Sequence, residues 1–196
     1  MIRIALVGGI GSGKTFISKL FRYPVFNADE SVAKIYLKNK KVFFKLKKKL
    51  PNFFNNPPVK KEELIKAIIK NKNNIKKISK IVHPEVRKDL QKFIDKNSKK
   101  KVVILDIPLL LENKLEKKVD FLVYIDAKKN EILKNLKKRK NYNSKMIKIL
   151  KKFQLPLKLK KNKANFIIKN NFKPKIVKKN VKLLKEGIFK KWKKLF

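Results

Sequence analysis

The chain has 196 residues, with 56 Lys or Arg against 14 Asp or Glu, a formal net charge of +42, no cysteine and a single histidine. The length suits one domain with small insertions, and 43% hydrophobic and 10% aromatic residues supply a core, which excludes a disordered basic tail protein. Disulfides, thiolate metal sites, cysteine catalysis and multi-histidine metal centres are excluded as well, and no apolar run reaches the roughly 20 residues that span a bilayer.

The first element is Ile2-Arg3-Ile4-Ala5-Leu6-Val7, a short apolar run bounded by glycines that reads as a buried parallel strand. Its start shows neither a charged leader nor a cleavage site, so the expected location is cytosolic, with no membrane partner. Four of the five glycines fall between positions 8 and 13, and a helical pattern runs from Lys14 to about Arg22. Residues 24–27 read as a second strand, 30–50 as helix, and 52–58 as a loop rich in Asn and Pro. Residues 60–97 supply two or three helices, the last opened by Pro84. Val102-Val103-Ile104-Leu105-Asp106 and Phe121-Leu122-Val123-Tyr124-Ile125-Asp126 are two further strands, each ending in a carboxylate. Two helical segments, joined near residues 141–143, and a Pro-containing stretch lead to a last strand at residues 166–168. A basic amphipathic helix over residues 174–195 carries Phe189, Trp192 and Phe196 to dock it. Strands alternating with helices predict a doubly wound α/β sheet.

Residues 132–196 carry 24 Lys or Arg and one acid, Glu186. A basic excess of this size ordinarily points to nucleic acid or an acidic membrane surface. Here all but four of the basic residues are lysine, and the chain is also crowded with Asn, Ile and Phe, all of which have AT-rich codons. Drift in composition accounts for the lysines without an obligate nucleic-acid partner. It also makes the surviving arginines, Arg3, Arg22, Arg87 and Arg139, more informative than any lysine, because only a guanidinium gives a bidentate phosphate contact.

Gly8-Gly9-Ile10-Gly11-Ser12-Gly13-Lys14-Thr15 satisfies G-x-x-x-x-G-K-[ST] between a predicted strand and a predicted helix. The backbone N–H groups of Gly9, Gly11, Ser12 and Gly13 can curl around phosphates at a helix N-terminus. Lys14 is placed to reach the β- and γ-phosphates of a nucleoside triphosphate and the Thr15 hydroxyl to ligate Mg²⁺, with Phe16 adding a backbone N–H. No guanine-reading Asn-Lys-x-Asp segment is present, so at this size a small-molecule or nucleotide kinase is favoured over a GTPase.

Asp29 follows the second strand and so falls at the carboxyl edge of the sheet, either accepting a proton from an acceptor hydroxyl or holding metal, or else capping the next helix. Asp106, at the end of the most apolar strand, is either a Mg²⁺-holding carboxylate or a loop-ordering one. Glu112 is expected to order the loop Pro108-Leu109-Leu110-Leu111 before it, Asp126 to be structural, and His83 reads as a hydrogen-bonded structural histidine rather than a base. Arg139, in a lysine-dense helix, is either a lid cation or part of a solvated basic face.

Together these motifs resemble the dephospho-coenzyme A kinase family. The resemblance rests on residues 7–15, on Asn27-Ala28-Asp29, on Val82-His83-Pro84 and on Leu105-Asp106-Ile107-Pro108-Leu109-Leu110-Leu111-Glu112. It continues through Val119-Asp120, Ile125-Asp126, Arg139, Gln154 and Ala164-Asn165-Phe166-Ile167-Ile168-Lys169-Asn170, in order, over roughly residues 1–172. It implies transfer of the γ-phosphoryl of ATP to the 3′-hydroxyl of dephospho-coenzyme A. It implies a P-loop NTPase fold of three αβα layers with a mostly parallel five-stranded sheet. The core is expected at about 1–29, 99–137 and 164–196, a helical substrate-binding insertion at about 30–98 and a helical lid at about 138–163. By the same resemblance Lys14, Asp29 and Arg139 are catalytic. His83, Arg87, Asp106 and Leu110 join Asp29 in binding the acceptor, and Thr15 and Asp106 hold the metal. Three positions depart from the family pattern, where Asn135 and Lys61 stand for arginines and Asn165 for an aspartate. The alternatives are another small P-loop kinase, or a basic nucleic-acid-binding ATPase.

Overall fold

The computed structural model describes residues 1–138 and 142–194. Arg139 and Phe196 lie outside the described residues. Strand β1 (Ile2–Val7) leads through the glycine loop into α1 (Lys14–Leu20), and β2 (Val25–Asn27) runs directly into α2 (Ala28–Lys38). Helices α3 (Lys40–Lys49), α4 (Lys61–Lys70) and α5 (Asn74–Lys96) precede β3 (Val102–Asp106) and β4 (Phe121–Asp126). Then come α6 (Lys129–Lys137), α7 (Ser144–Lys152), α8 (Leu157–Asn162), β5 (Phe166–Lys169) and α9 (Pro174–Lys193).

The five strands form one sheet in the order β2-β3-β1-β4-β5, and every neighbouring pair is parallel. The expectation of a mostly parallel sheet is thereby sharpened to an all-parallel one. All carboxyl ends point the same way, so the loops after β1, β2, β3 and β5 meet along one edge, the usual place for ligands in such sheets.

Alternation along β1 divides the core in two. Ile2, Ile4 and Leu6 face a layer built from Ile17 and Phe21 of α1 and Val177, Val181, Leu184 and Ile188 of α9. Ala5 and Val7 face the other way, toward Phe26, Leu90 and the loop residues Ile107, Leu110 and Leu111. A third apolar cluster, separate from the sheet, joins Ile35, Phe43, Leu46, Phe54, Ile68, Ile78 and Val82 of α2 to α5 with Ile149 of α7. Trp192 of α9 docks edge-on against Phe121.

Three local expectations are corrected. The helix expected over residues 30–50 starts at Ala28 and breaks at Asn39. That residue is extended (φ −94°, ψ 90°) and its side chain accepts from Val42 N to start α3. Pro84 does not open a helix but lies inside the 23-residue α5. Its missing N–H leaves the Lys80 carbonyl without a helical donor, and buried Ile78, Val82 and Leu90 on both sides keep the helix running. The Pro-containing stretch after Gln154 forms a third short helix, α8, with Pro156 as its cap. Among the described residues no helix is long and apolar enough to cross a membrane.

Candidate active site

Gly11 (φ 81°) and Gly13 (φ 91°) adopt left-handed backbone in the glycine loop, and both are also closely packed. A Cβ on Gly11 would stand 2.7 Å from Leu136 Cγ, and one on Gly13 would overlap the Asn170 amide nitrogen. The curled backbone is braced from the other edge of the sheet. Asn170, 2% exposed, donates through Nδ2 to the Ser12 carbonyl at 2.8 Å. Lys14 is folded inside the loop, donating to the carbonyls of Gly9 (2.9 Å) and Gly8 (3.2 Å).

Thr15, on the first turn of α1, donates its hydroxyl to Asp106 Oδ2 at 2.7 Å. Strand β1, which leads into α1, is the neighbour of β3, with Leu6 in register with Asp106, so the sheet brings the two groups together. Asp106 is 2% exposed, and burial pushes its carboxyl above the usual carboxylate range. The Thr15 hydroxyl and the Lys14 charge pull it back, while the Asp29 and Glu30 carboxylates push it up again. Asn27 does double work between β2 and α2. Its Oδ1 accepts from Glu30 N at 3.0 Å as the helix cap, and its Nδ2 donates to Asp106 Oδ2 at 3.3 Å. The cap is therefore Asn27 and not Asp29, which sits one residue inside the helix.

These groups open onto one cleft of about 750 Å³, within the range of small-ligand sites. Lys14, Thr15, Phe16, Asp29 and Asp106 line it on the sheet side, His83 and Arg87 from α5. His83 is half-buried, and burial with the neighbouring Arg87 charge lowers its pKa below the ordinary histidine value, against a hydrogen bond with Asn113. The balance favours the neutral imidazole. Leu110 is corrected. Its side chain is fully buried in the core, and Leu109 and Pro108 are the loop residues that face the cleft. Gly9 belongs to the loop but not to the cleft wall, and Arg139 lies outside the described residues.

Several wall residues were not among the candidate site residues, although Gln154 was one of those carrying the family resemblance. Asn113 follows directly on the Glu112 motif, and Phe172 and Pro174 follow β5. Phe153 and Gln154 stand opposite the Pro108 loop and are tied to it. Glu112 Oε1 accepts from Leu155 N at 2.8 Å and pairs with Lys160 Nζ at 2.7 Å. Arg3, one of the four arginines, forks onto Asp120 at the opposite end of the sheet. Asn165 in place of aspartate still accepts a backbone N–H, from Leu122 at 2.7 Å.

A parallel sheet carrying a Lys-Thr phosphate loop on its central strand, with a carboxylate at the next strand end and a cleft beside it, defines a P-loop kinase. The family model for dephospho-CoA kinase matches residues 2–175. Over 170 residues the chain is 35% identical to the dephospho-CoA kinase of Bartonella henselae, covering 84% of this chain and 87% of that one. The chain belongs to the dephospho-CoA kinase family. Among solved structures it is similar to a Thermus thermophilus protein (TM-score 0.76, 24% identity, 97% of each chain). It also resembles the dephospho-CoA kinase of Campylobacter jejuni (TM-score 0.65, 21% identity, 95% of this chain and 96% of that one). At those identities the two structures speak to the fold.

Proposed function

We propose that this cleft transfers the γ-phosphoryl of ATP to the ribose 3′-hydroxyl of dephospho-coenzyme A, with the residues above dividing the work. The loop amides and Lys14 hold the β- and γ-phosphates. The acceptor enters over Asp29, which orients its hydroxyl and takes its proton as the new O–P bond forms and the β,γ bridging bond breaks to leave ADP. His83, neutral and hydrogen-bonded to Asn113, and Arg87 one turn further hold the acceptor from α5.

The Thr15–Asp106 pair fits a magnesium ion. Such an ion takes one or two protein oxygens and completes its shell with water and phosphate. Among the described residues no cluster of three or more His, Cys, Asp or Glu offers a full protein cage. Thr15 and Asp106 would hold such an ion, which would supply charge neutralisation for the phosphates. The segments at about 30–98 and 138–163 act as acceptor-binding insertion and lid, the latter bringing Arg139. The reading includes a cytosolic setting and no obligate nucleic-acid or membrane partner.

The observation that carries this assignment of roles is the hydrogen bond from Thr15 to Asp106 in a cleft that Asp29 also lines. A coupled ADP-release assay comparing dephospho-coenzyme A with nucleoside monophosphates tests it. Turnover is expected with dephospho-coenzyme A, and none above the ATP-only background would sink the reading.

A further inference from the structure

The sheet order decides which side of the phosphate loop each reactant occupies. Asp29 follows β2 at one edge, Phe172 follows β5 at the other, and the phosphate loop follows central β1. With neighbouring strands about 4.8 Å apart, β2 and β5 each lie roughly 10 Å from β1, on opposite sides of it. Attacking and leaving oxygens stand nearly in line through the transferred phosphorus. An acceptor beside Asp29 therefore leaves the β4–β5 flank to the donor nucleoside.

On that flank the backbone does something unusual. Phe172 has φ 57°, left-handed backbone that a bulky side chain seldom adopts and that clusters at ligand sites. Buried Asn170 builds the turn. Its Oδ1 accepts from Phe172 N at 2.9 Å while its Nδ2 donates to the Ser12 carbonyl at 2.8 Å. A single amide thus fixes Phe172 relative to the phosphate loop. The ring edge lies 3.7 Å from where a Cβ on Gly13 would be, and the half-buried ring faces the cleft beside Pro174.

We propose that the Phe172 ring is the stacking platform for the purine base of the donor nucleotide, held at a fixed offset from the phosphates by Asn170. The proposal rests on the kinase reading for its donor, and it adds the group that recognises the base. Stacking on an aromatic face suits any purine, so the ring contributes affinity rather than the choice among bases.

The test is calorimetric titration of the full chain with ADP and, separately, with inorganic pyrophosphate in the same magnesium buffer. Three proteins are compared: wild type, Phe172→Leu and Phe172→Trp. Leucine keeps the backbone demand and apolar bulk but has no π face. Phe172→Leu is expected to weaken ADP by about tenfold while pyrophosphate is unchanged, and Phe172→Trp to restore ADP. In turnover, the Leu variant should raise KM for ATP with kcat within about twofold. Unchanged ADP affinity in Phe172→Leu overturns the platform. So does an equal loss for ADP and pyrophosphate, which would make the ring a support of the phosphate loop only. Wild-type protein that binds neither ligand overturns the kinase reading itself, and the platform with it.

Discussion

Replacing Lys160 with methionine removes one partner of an ion pair whose lysine side chain is 1% exposed and whose carboxylate side chain is 11% exposed. The loss leaves Glu112 with the Leu155 N–H as its hydrogen-bond donor at 2.8 Å. Removing one member of a buried pair costs about 3–5 kcal/mol, because the other charge stays desolvated without compensation. Glu112 keeps the Leu155 N–H, which places Lys160→Met at the low end, about 3 kcal/mol. In a protein of this size each kcal/mol moves Tm by about 2–4 °C, so Tm should fall by about 6–12 °C. Glu112→Leu strands an ammonium with almost no solvent access and should cost more, about 5 kcal/mol. The double variant, apolar on both sides, should lie closer to wild type than either single one. Because Pro108 and Leu109 stand on one side of this tie and Phe153 and Gln154 on the other, both single variants should also raise the acceptor KM. Circular dichroism melts with steady-state kinetics read all of this. Single variants within 1 kcal/mol of wild type, or a double variant worse than both, would refute the reasoning.

Four other outcomes are expected. Lys14→Ala and Asp29→Asn should each lower kcat by orders of magnitude, with Asp29→Asn leaving ATP affinity by calorimetry largely intact, since the role proposed for Asp29 is on the acceptor side. Asp106→Asn should lose activity yet melt at a higher temperature without nucleotide. A carboxyl whose pKa is raised on folding binds more protons folded than unfolded, so ionising it costs stability as pH rises. His83, with its pKa lowered, has the opposite sense of proton uptake. The unfolded chain protonates first, so stability falls as pH drops below about 6.5, and His83→Gln should flatten that part of a pH–Tm profile. Gly11→Ala should weaken ATP binding by calorimetry, because its Cβ would stand 2.7 Å from Leu136 on a left-handed backbone.

How far the sequence could be read depended on what each signal measured. Continuous apolar runs ending in Asp gave β3 and β4, and glycines concentrated in one stretch of a glycine-poor chain gave the phosphate loop, because both are local and have few other causes. Pro84 was misleading because its effect depends on tertiary packing that outweighs one lost hydrogen bond. The Asn39 break needed cap geometry that an Asn among lysines does not announce. In Leu109-Leu110-Leu111 composition could not say which leucine faces the cleft, and the turn after Pro108 sends Leu110 inward. Lys160 was hidden by the composition itself. Among so many lysines with AT-rich codons, one that is buried against Glu112 looks like any other. Of the arginines singled out from composition, Arg87 lines the cleft and Arg3 forks onto Asp120 at the far end of the sheet.

The account stands or falls on where the phosphoryl group goes. Purified protein is incubated with γ-labelled ATP, Mg²⁺ and dephospho-coenzyme A, and the labelled product is identified by chromatography and phosphorus NMR. The label is expected on the ribose 3′-oxygen, in amounts equal to the ADP formed, and absent with Lys14→Ala. Label released as free phosphate, or transferred to a nucleoside monophosphate in preference, would contradict it.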